Sequence, residues 1–177
     1  MSDFVEFFEQ PNLVGATLSL FDYKPNLIEA SIVSNFMQYI SMFDKAIAIH
    51  FRTGGDGSWE DPVVDLPENS HIVIDYAKKV IENSSERICI FFASDSQKLK
   101  HEIVERYGDE MNLFTLEIPI SHIDRSTGRN RNFESRLSIM ENYLISLCDQ
   151  IYAGKGAYSV VSANRQNRWP WRYFKTH

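Results

Sequence analysis

Ala46-Ile47-Ala48-Ile49-His50-Phe51 runs directly into Arg52-Thr53-Gly54-Gly55-Asp56-Gly57-Ser58. The first six residues are of strand length, and no polar residue interrupts them before His50. A strand that is apolar at successive positions is buried on both faces, as in a parallel sheet covered by helices. The next seven residues include three glycines and read as a loop. Ligands of open α/β sheets bind outside the carboxyl ends of the strands. The step from Phe51 to Arg52 therefore suggests both a fold and a place to look for chemistry.

Upstream, Ile28, Ile32, Phe36 and Ile40 recur every four residues, with Val33 and Met37 beside them. This predicts a helix over 25–43, with Pro25 in its first turn and Asp44-Lys45 ending it. Residues 1–23 read as a leader: a short helix, a turn at Gln10-Pro11-Asn12 and an extended segment. Downstream, residues 68–82 read as a helix with Ile72, Val73, Tyr76, Val80 and Ile81 on one face. Arg87 to Ala93 (RICIFFA) is a second buried strand. Ser94-Asp95-Ser96 turns the chain into a helix over Gln97–Tyr107 carrying Leu99, Ile103 and Val104. Leu113–Ile118 is a third strand, 121–132 a polar loop, and Phe133–Cys148 a helix with Leu137, Met140, Leu144, Ile145 and Cys148 facing inward. Ile151–Ala153 and Tyr158–Val161 flank Gly154-Lys155-Gly156. The tail, 164–177, is basic and aromatic and reads as a segment that folds back on the domain or meets a second one, the other reading being a surface that stacks on a base or glycan. Strands alternating with helices predict an α/β fold: a parallel sheet joined by right-handed crossovers, with helices on both faces.

The chain has 177 residues, 44% of them hydrophobic and 24% charged, a composition suited to one globular domain spanning 1–177. With 24 acidic against 18 basic residues the net charge is −6. That weighs against nucleic acid as a partner, which requires a basic surface. Cys89 and Cys148 lie in apolar runs and read as buried free thiols. No apolar run is long enough to cross a bilayer and no basic segment leads into an apolar one, so a cytoplasmic protein without a membrane span is expected. The five histidines form no HxxxH or HExxH, and no metal site is expected. A G-x-S-x-G elbow, a GxGxxG fingerprint and a Walker A loop are all absent, which weighs against hydrolase, dinucleotide and P-loop chemistry.

Three polar segments fall at carboxyl ends of strands and should converge: 50–60, 94–96 and 154–162. In the first, the planar fork of Arg52 suits a phosphate. Gly54, Gly55 and Gly57 let backbone N–H groups approach an anion. Glu60 or Asp61 could take a proton from a hydroxyl. A plain glycine-rich surface loop with an exposed arginine is the other reading. In the second, Asp95 could hold a ribose hydroxyl or a base edge, or Ser94 or Asp95 could simply cap the following helix. In the third, glycines followed by Ser159 form either an anion site at a helix start or an ordinary turn.

Three stretches carry a family resemblance. AIAIHFRTGGDG resembles the H-x-R motif that opens the donor domain of the α1,6-fucosyltransferases, the nodulation fucosyltransferases and the protein O-fucosyltransferases. IFFASDSQKLKHEI is similar to their second motif, a strand ending in Ala-[Ser/Thr]-Asp before a helix. SRLSIMENYLISLCDQIYAGKGAYSVVSA is similar to their third, a helix, a strand and a Ser-rich turn. The three occur in the family's order over residues 24–165.

The resemblance implies a three-layer, Rossmann-like sheet forming one half of a GT-B fold, with a metal-free site for a GDP-sugar. It implies that Arg52 contacts the donor diphosphate, that His50 sits behind it facing the nucleotide, and that Asp95 holds the guanine or ribose. Glu141 falls where the α1,6 type has Asp, and Ser159 and Ser162 fall in the Ser-rich turn. Glu60, eight residues after Arg52, matches the family's proposed base. Thr53, Gly54 and Gly55 replace a second Arg and an Asp-Lys pair. The implied activity is inverting transfer of fucose from GDP-fucose to a glycan acceptor. The alternative is a sugar-nucleotide-binding module that needs a second glycosyltransferase domain to turn over.

Overall fold

A computed structural model of the chain describes residues 23–54, 69–118, 131–153, 162 and 172–173. In chain order these form α1 (Leu27–Ile40), β1 (Lys45–Phe51), α2 (Asn69–Glu82), β2 (Ile88–Ser94), α3 (Gln97–Met111), β3 (Leu113–Phe114), α4 (Arg131–Leu147), β4 (Gln150–Ala153) and β5 (Arg172–Tyr173). Among the described residues the sheet has five strands in the order β3-β2-β1-β4-β5, and every pairing is parallel. β1 lies between β2 and β4, and the order reverses between β1 and β4. This is the switch point at which doubly wound sheets form their ligand crevice.

Alternate residues of the two central strands feed separate cores, because successive side chains point to opposite faces. Ile47, Ile49 and Phe51 of β1, with Ile88, Ile90 and Phe92 of β2, pack under Val73, Ile74 and Ala77 of α2 and Ile103, Tyr107 and Met111 of α3. Ala46 and Ala48, with Cys89, Phe91 and Ala93, pack under Phe36 of α1 and Leu137, Met140, Leu144 and Ile145 of α4. One face is lined by bulky residues and the other largely by small ones. The α/β class with helices on both faces is as the apolar runs predicted. The two cysteines are buried free thiols, and burial pushes the Cys89 thiol up to about 11. No described helix is long and apolar enough to cross a membrane.

Several boundaries and faces differ from expectation. α1 starts with a capping box. Asn26 Oδ1 accepts from the Ile28 and Glu29 N–H groups at 3.0 Å each, and Glu29 Oε2 accepts from Asn26 N–H at 2.9 Å. Pro25 therefore precedes the cap instead of sitting in the first turn, and the helix ends at Ile40 with Ser41 as its C-cap. Glu29 faces inward onto Arg136 of α4 (2.5 Å), which rotates Ile28 out to 71% exposure. In α2 the buried stripe is Ser70, Val73, Ile74 and Ala77, and Ile72 faces out.

α3 runs on past Tyr107 because Asn112 supplies the left-handed cap (φ 47°, N–H to Gly108 O). Asparagine tolerates that conformation better than most residues. β3 stops after two residues instead of six. Beyond it the Thr115 hydroxyl donates to Phe92 O at 2.7 Å, Lys100 Nζ donates to Leu116 O at 3.2 Å and the Gln97 amide donates to Ile118 O. Side chains here replace the backbone partners that a longer ladder would have supplied. α4 begins at Arg131, inside the stretch read as loop. Of the tail, Arg172 and Tyr173 pair with Tyr152 and Ala153. The leader 1–22, the loop 119–130, the stretch 154–161 that holds Gly154-Lys155-Gly156 and Tyr158–Val161, and the rest of the tail lie outside the described residues.

Candidate functional site

The strand register fixes the frame of the site. His50 pairs with Ala93 of β2 and Ala153 of β4, and Phe51 pairs with Ser94. The carboxyl ends of the three central strands are therefore level, and Arg52 and Asp95 both follow directly at that edge. His50 shares the face of Ala46 and Ala48 and is 4% exposed. Burial is the main cause that drives its pKa down, to about 4. The cations of Arg52 and Lys100 push the same way, and Asp95 opposes them. The imidazole is thus neutral at pH 7 and offers one donor and one acceptor nitrogen.

Asp95 grips the loop after β1. Its Oδ1 accepts from Thr53 N–H (2.7 Å) and from the Thr53 hydroxyl (3.1 Å), and its Oδ2 accepts from Gly54 N–H (2.9 Å). Gly54 has φ 86°, a conformation open to glycine at little cost. Gly54 N–H, one of the backbone groups that the sequence offered to an anion, is thus engaged by an internal carboxylate. Asp95 does not cap α3. Ser96 does, its Oγ accepting from Leu99 N–H at 3.0 Å. This leaves the carboxylate one residue earlier able to reach across to β1.

Beside Asp95 lies a buried ion pair. Lys100 Nζ stands 2.9 Å from Glu141 Oε1, with the two side chains 2% and 1% exposed. Burial raises the pKa of Glu141 and the Lys100 cation opposes that shift, while Asp95 adds to it. His50, Arg52, Asp95, Lys100 and Glu141 therefore form one electrostatically coupled group at the switch point. It comprises two carboxyl side chains, two basic side chains and a neutral imidazole. Among the described residues no group of three or more His, Cys, Asp or Glu side chains could hold a metal ion.

Of the residues singled out in the sequence, His50, Arg52, Gly54, Asp95 and Glu141 come together here. Ser162 is buried. Gly55, Glu60, Asp61 and Ser159 lie outside the described residues. Sequence reasoning missed Lys100, although a signal existed. It is a cation on the same helical stripe as Ile103, Tyr107 and Met111, all of which are buried. It also missed Thr53, whose role depends on a carboxylate 42 residues away.

No protein-family model matches the chain, and no curated protein matches its sequence. Solved structures do share its fold. NodZ α-1,6-fucosyltransferase soaked with GDP-fucose superposes with a TM-score of 0.51 at 12% identity, over 80% of this chain and 42% of that one. A mutant of Arabidopsis thaliana FUT1 in complex with GDP gives 0.51 at 13% identity, over 81% and 32%. The chain has a fucosyltransferase-like, Rossmann-like fold and spans less than half the length of either protein.

Proposed function

We propose that the chain binds a GDP-sugar, with GDP-fucose as the donor, and forms the donor half of a GT-B, fucosyltransferase-like glycosyltransferase acting on a glycan acceptor. The observation that carries this reading is the position of Arg52. It follows β1 at the switch point of a parallel sheet, in a turn clamped by Asp95. The fold shared with proteins solved with GDP and GDP-fucose supports the same ligand class. In this mechanism Arg52 faces the diphosphate, with neutral His50 behind it, and residues around Gly55, Ser159 and Ser162 complete the phosphate and nucleoside contacts.

Transfer is an inverting displacement. The acceptor hydroxyl oxygen bonds to the anomeric carbon as the bond from that carbon to the diphosphate oxygen breaks. Glu60 or Asp61 takes the hydroxyl proton. Arg52 stabilises the charge that collects on the departing diphosphate, so no metal is needed. Removing such a preorganised charge contact costs on the order of 2–4 kcal/mol. The test is calorimetric titration with GDP, GDP-fucose, UDP and UDP-glucose, without and then with divalent metal. Metal-independent binding of the guanine ligands, weakened in Arg52→Ala by about that amount, is the expected result. Equal binding by Arg52→Ala removes the assignment.

A second reading follows from length. The chain covers 42% and 32% of the proteins it superposes on. A donor-binding module that turns over only with a second glycosyltransferase domain fits that proportion. Sugar transfer by the isolated chain to any glycan acceptor would eliminate it.

A further inference from the structure

Asp95 and Lys100 sit on the same short stretch, one just before the α3 cap and the other in its first turn. Asp95 reaches β1's loop. Lys100 reaches the other way, to Glu141 of α4 at 2.9 Å and to the Leu116 carbonyl at 3.2 Å. The first turn of α3 is thus tied to the loop of a central strand, to a helix on the opposite face and to the chain leaving β3. Glu141 and Asp95 repel one another, and the Lys100 ammonium opposes the rise that burial imposes on the Glu141 pKa. For stability alone, a buried pair has little advantage over apolar side chains of similar volume, so its presence at this junction calls for another role.

We propose that Lys100 is a positioning residue for the site: paired with Glu141, it fixes the first turn of α3, and so maintains the Asp95 grip on Thr53 and Gly54 and the aim of Arg52. The aim of Arg52 at a ligand rests on the nucleotide reading above, whereas the grip does not. On this view Glu141 serves the site as the counter-ion of Lys100, not as a contact to the ligand.

The experiment replaces both members of the pair in the full 177-residue chain, Lys100→Met with Glu141→Leu. Apolar replacement of a whole buried pair is commonly tolerated, and the variant is expected to fold. If it does not, Lys100→Gln with Glu141→Gln, which keeps shape without charge, is read in the same way. In the folded variant, amide hydrogen exchange at Thr53 and Gly54 rises about tenfold or more, the scale of losing charge-assisted hydrogen bonds, while the β1 and β2 ladder amides are unchanged. Affinities for GDP and for inorganic pyrophosphate fall together by a similar factor.

Unchanged exchange at Thr53 and Gly54 overturns the proposal whatever the titrations show, because a merely structural pair leaves that turn alone. If the wild-type chain binds neither GDP nor pyrophosphate, the nucleotide reading fails by itself, and the exchange result still decides the role of Lys100.

Discussion

The two edges of the sheet use the same device in different surroundings. At the amino edge, Asp44 accepts from the Arg87 N–H at 2.9 Å and its guanidinium at 3.3 Å, and Asp149 accepts from Ala46 N–H at 2.9 Å. At the carboxyl edge, Asp95 accepts from Thr53 and Gly54. Each carboxylate fastens one chain segment to the end of a strand. The Asp44–Arg87 pair is exposed, at 48% and 70%, and water and salt screen it. Its backbone hydrogen bond from Arg87 holds the Asp44 pKa down. Asp95 is coupled to buried His50 and Glu141 and through them to Lys100. A carboxylate that closes a sheet is therefore not in itself a sign of function. The distinguishing feature is the buried, mutually dependent charge around it.

If that contrast is right, substitutions at the carboxyl edge are costly and those at the amino edge are not. The largest effect belongs to Lys100→Met alone, which leaves Glu141 buried without its counter-ion. Urea denaturation at pH 7 should show a loss of about 3–5 kcal/mol. A loss below about 1 kcal/mol would mean that Glu141 discharges itself by taking up a proton, and the charge cluster would then be weaker than described.

Next is pH. The His50 pKa falls from 6.5 to about 4 on folding, so the unfolded chain binds the extra proton between those values. The contribution is complete above pH 6.5 and is lost as pH falls towards 4, by about 3 kcal/mol. Asp95, Arg52 and Lys100 face the ring, from β2's end, β1's end and α3. Comparing denaturation at pH 7 and pH 4 for wild type and His50→Gln isolates this term, because the substitution should remove that part of the slope. Identical slopes in the two proteins would show that His50 does not titrate as a buried neutral ring.

Asp95→Ala should follow at about 2 kcal/mol, the scale of hydrogen bonds to a charged group, with faster amide exchange confined to Thr53 and Gly54. Last, Asp44→Ala should leave the denaturation midpoint unchanged. A clear shift there would break the comparison between the edges.

Much of this edge was legible in the chain itself. The runs AIAIHF and RICIFFA marked buried parallel strands, and Arg52 and Asp95 could be placed just past them by counting. The face of each helix was less legible. Ile28 and Ile72 have the right period, but Glu29 meeting Arg136 turns α1, and α2 buries Ile74 instead of Ile72. Period fixes a stripe only to within a residue or so, and contacts from distant elements choose among the neighbours. The cap at Ser96 was misread for a related reason. Ser94, Asp95 and Ser96 are all good caps, and the choice fell to the residue whose neighbour was required by Thr53, 42 positions away.

The sequence by itself determined the class of fold, since apolar runs of strand length separated by helical periods leave few other ways to bury that surface. It also determined which polar residues stand at the carboxyl ends of the strands. Only the tertiary structure decided how those residues divide the work. Whether a carboxylate grips a backbone turn, pairs with a lysine or remains open to a ligand depends on what lies within about 3 Å of it. Asp95 meets Thr53 because β1 and β2 end side by side, and Lys100 meets Glu141 although α3 and α4 pack on opposite faces of the sheet, relations that no local pattern of residues encodes.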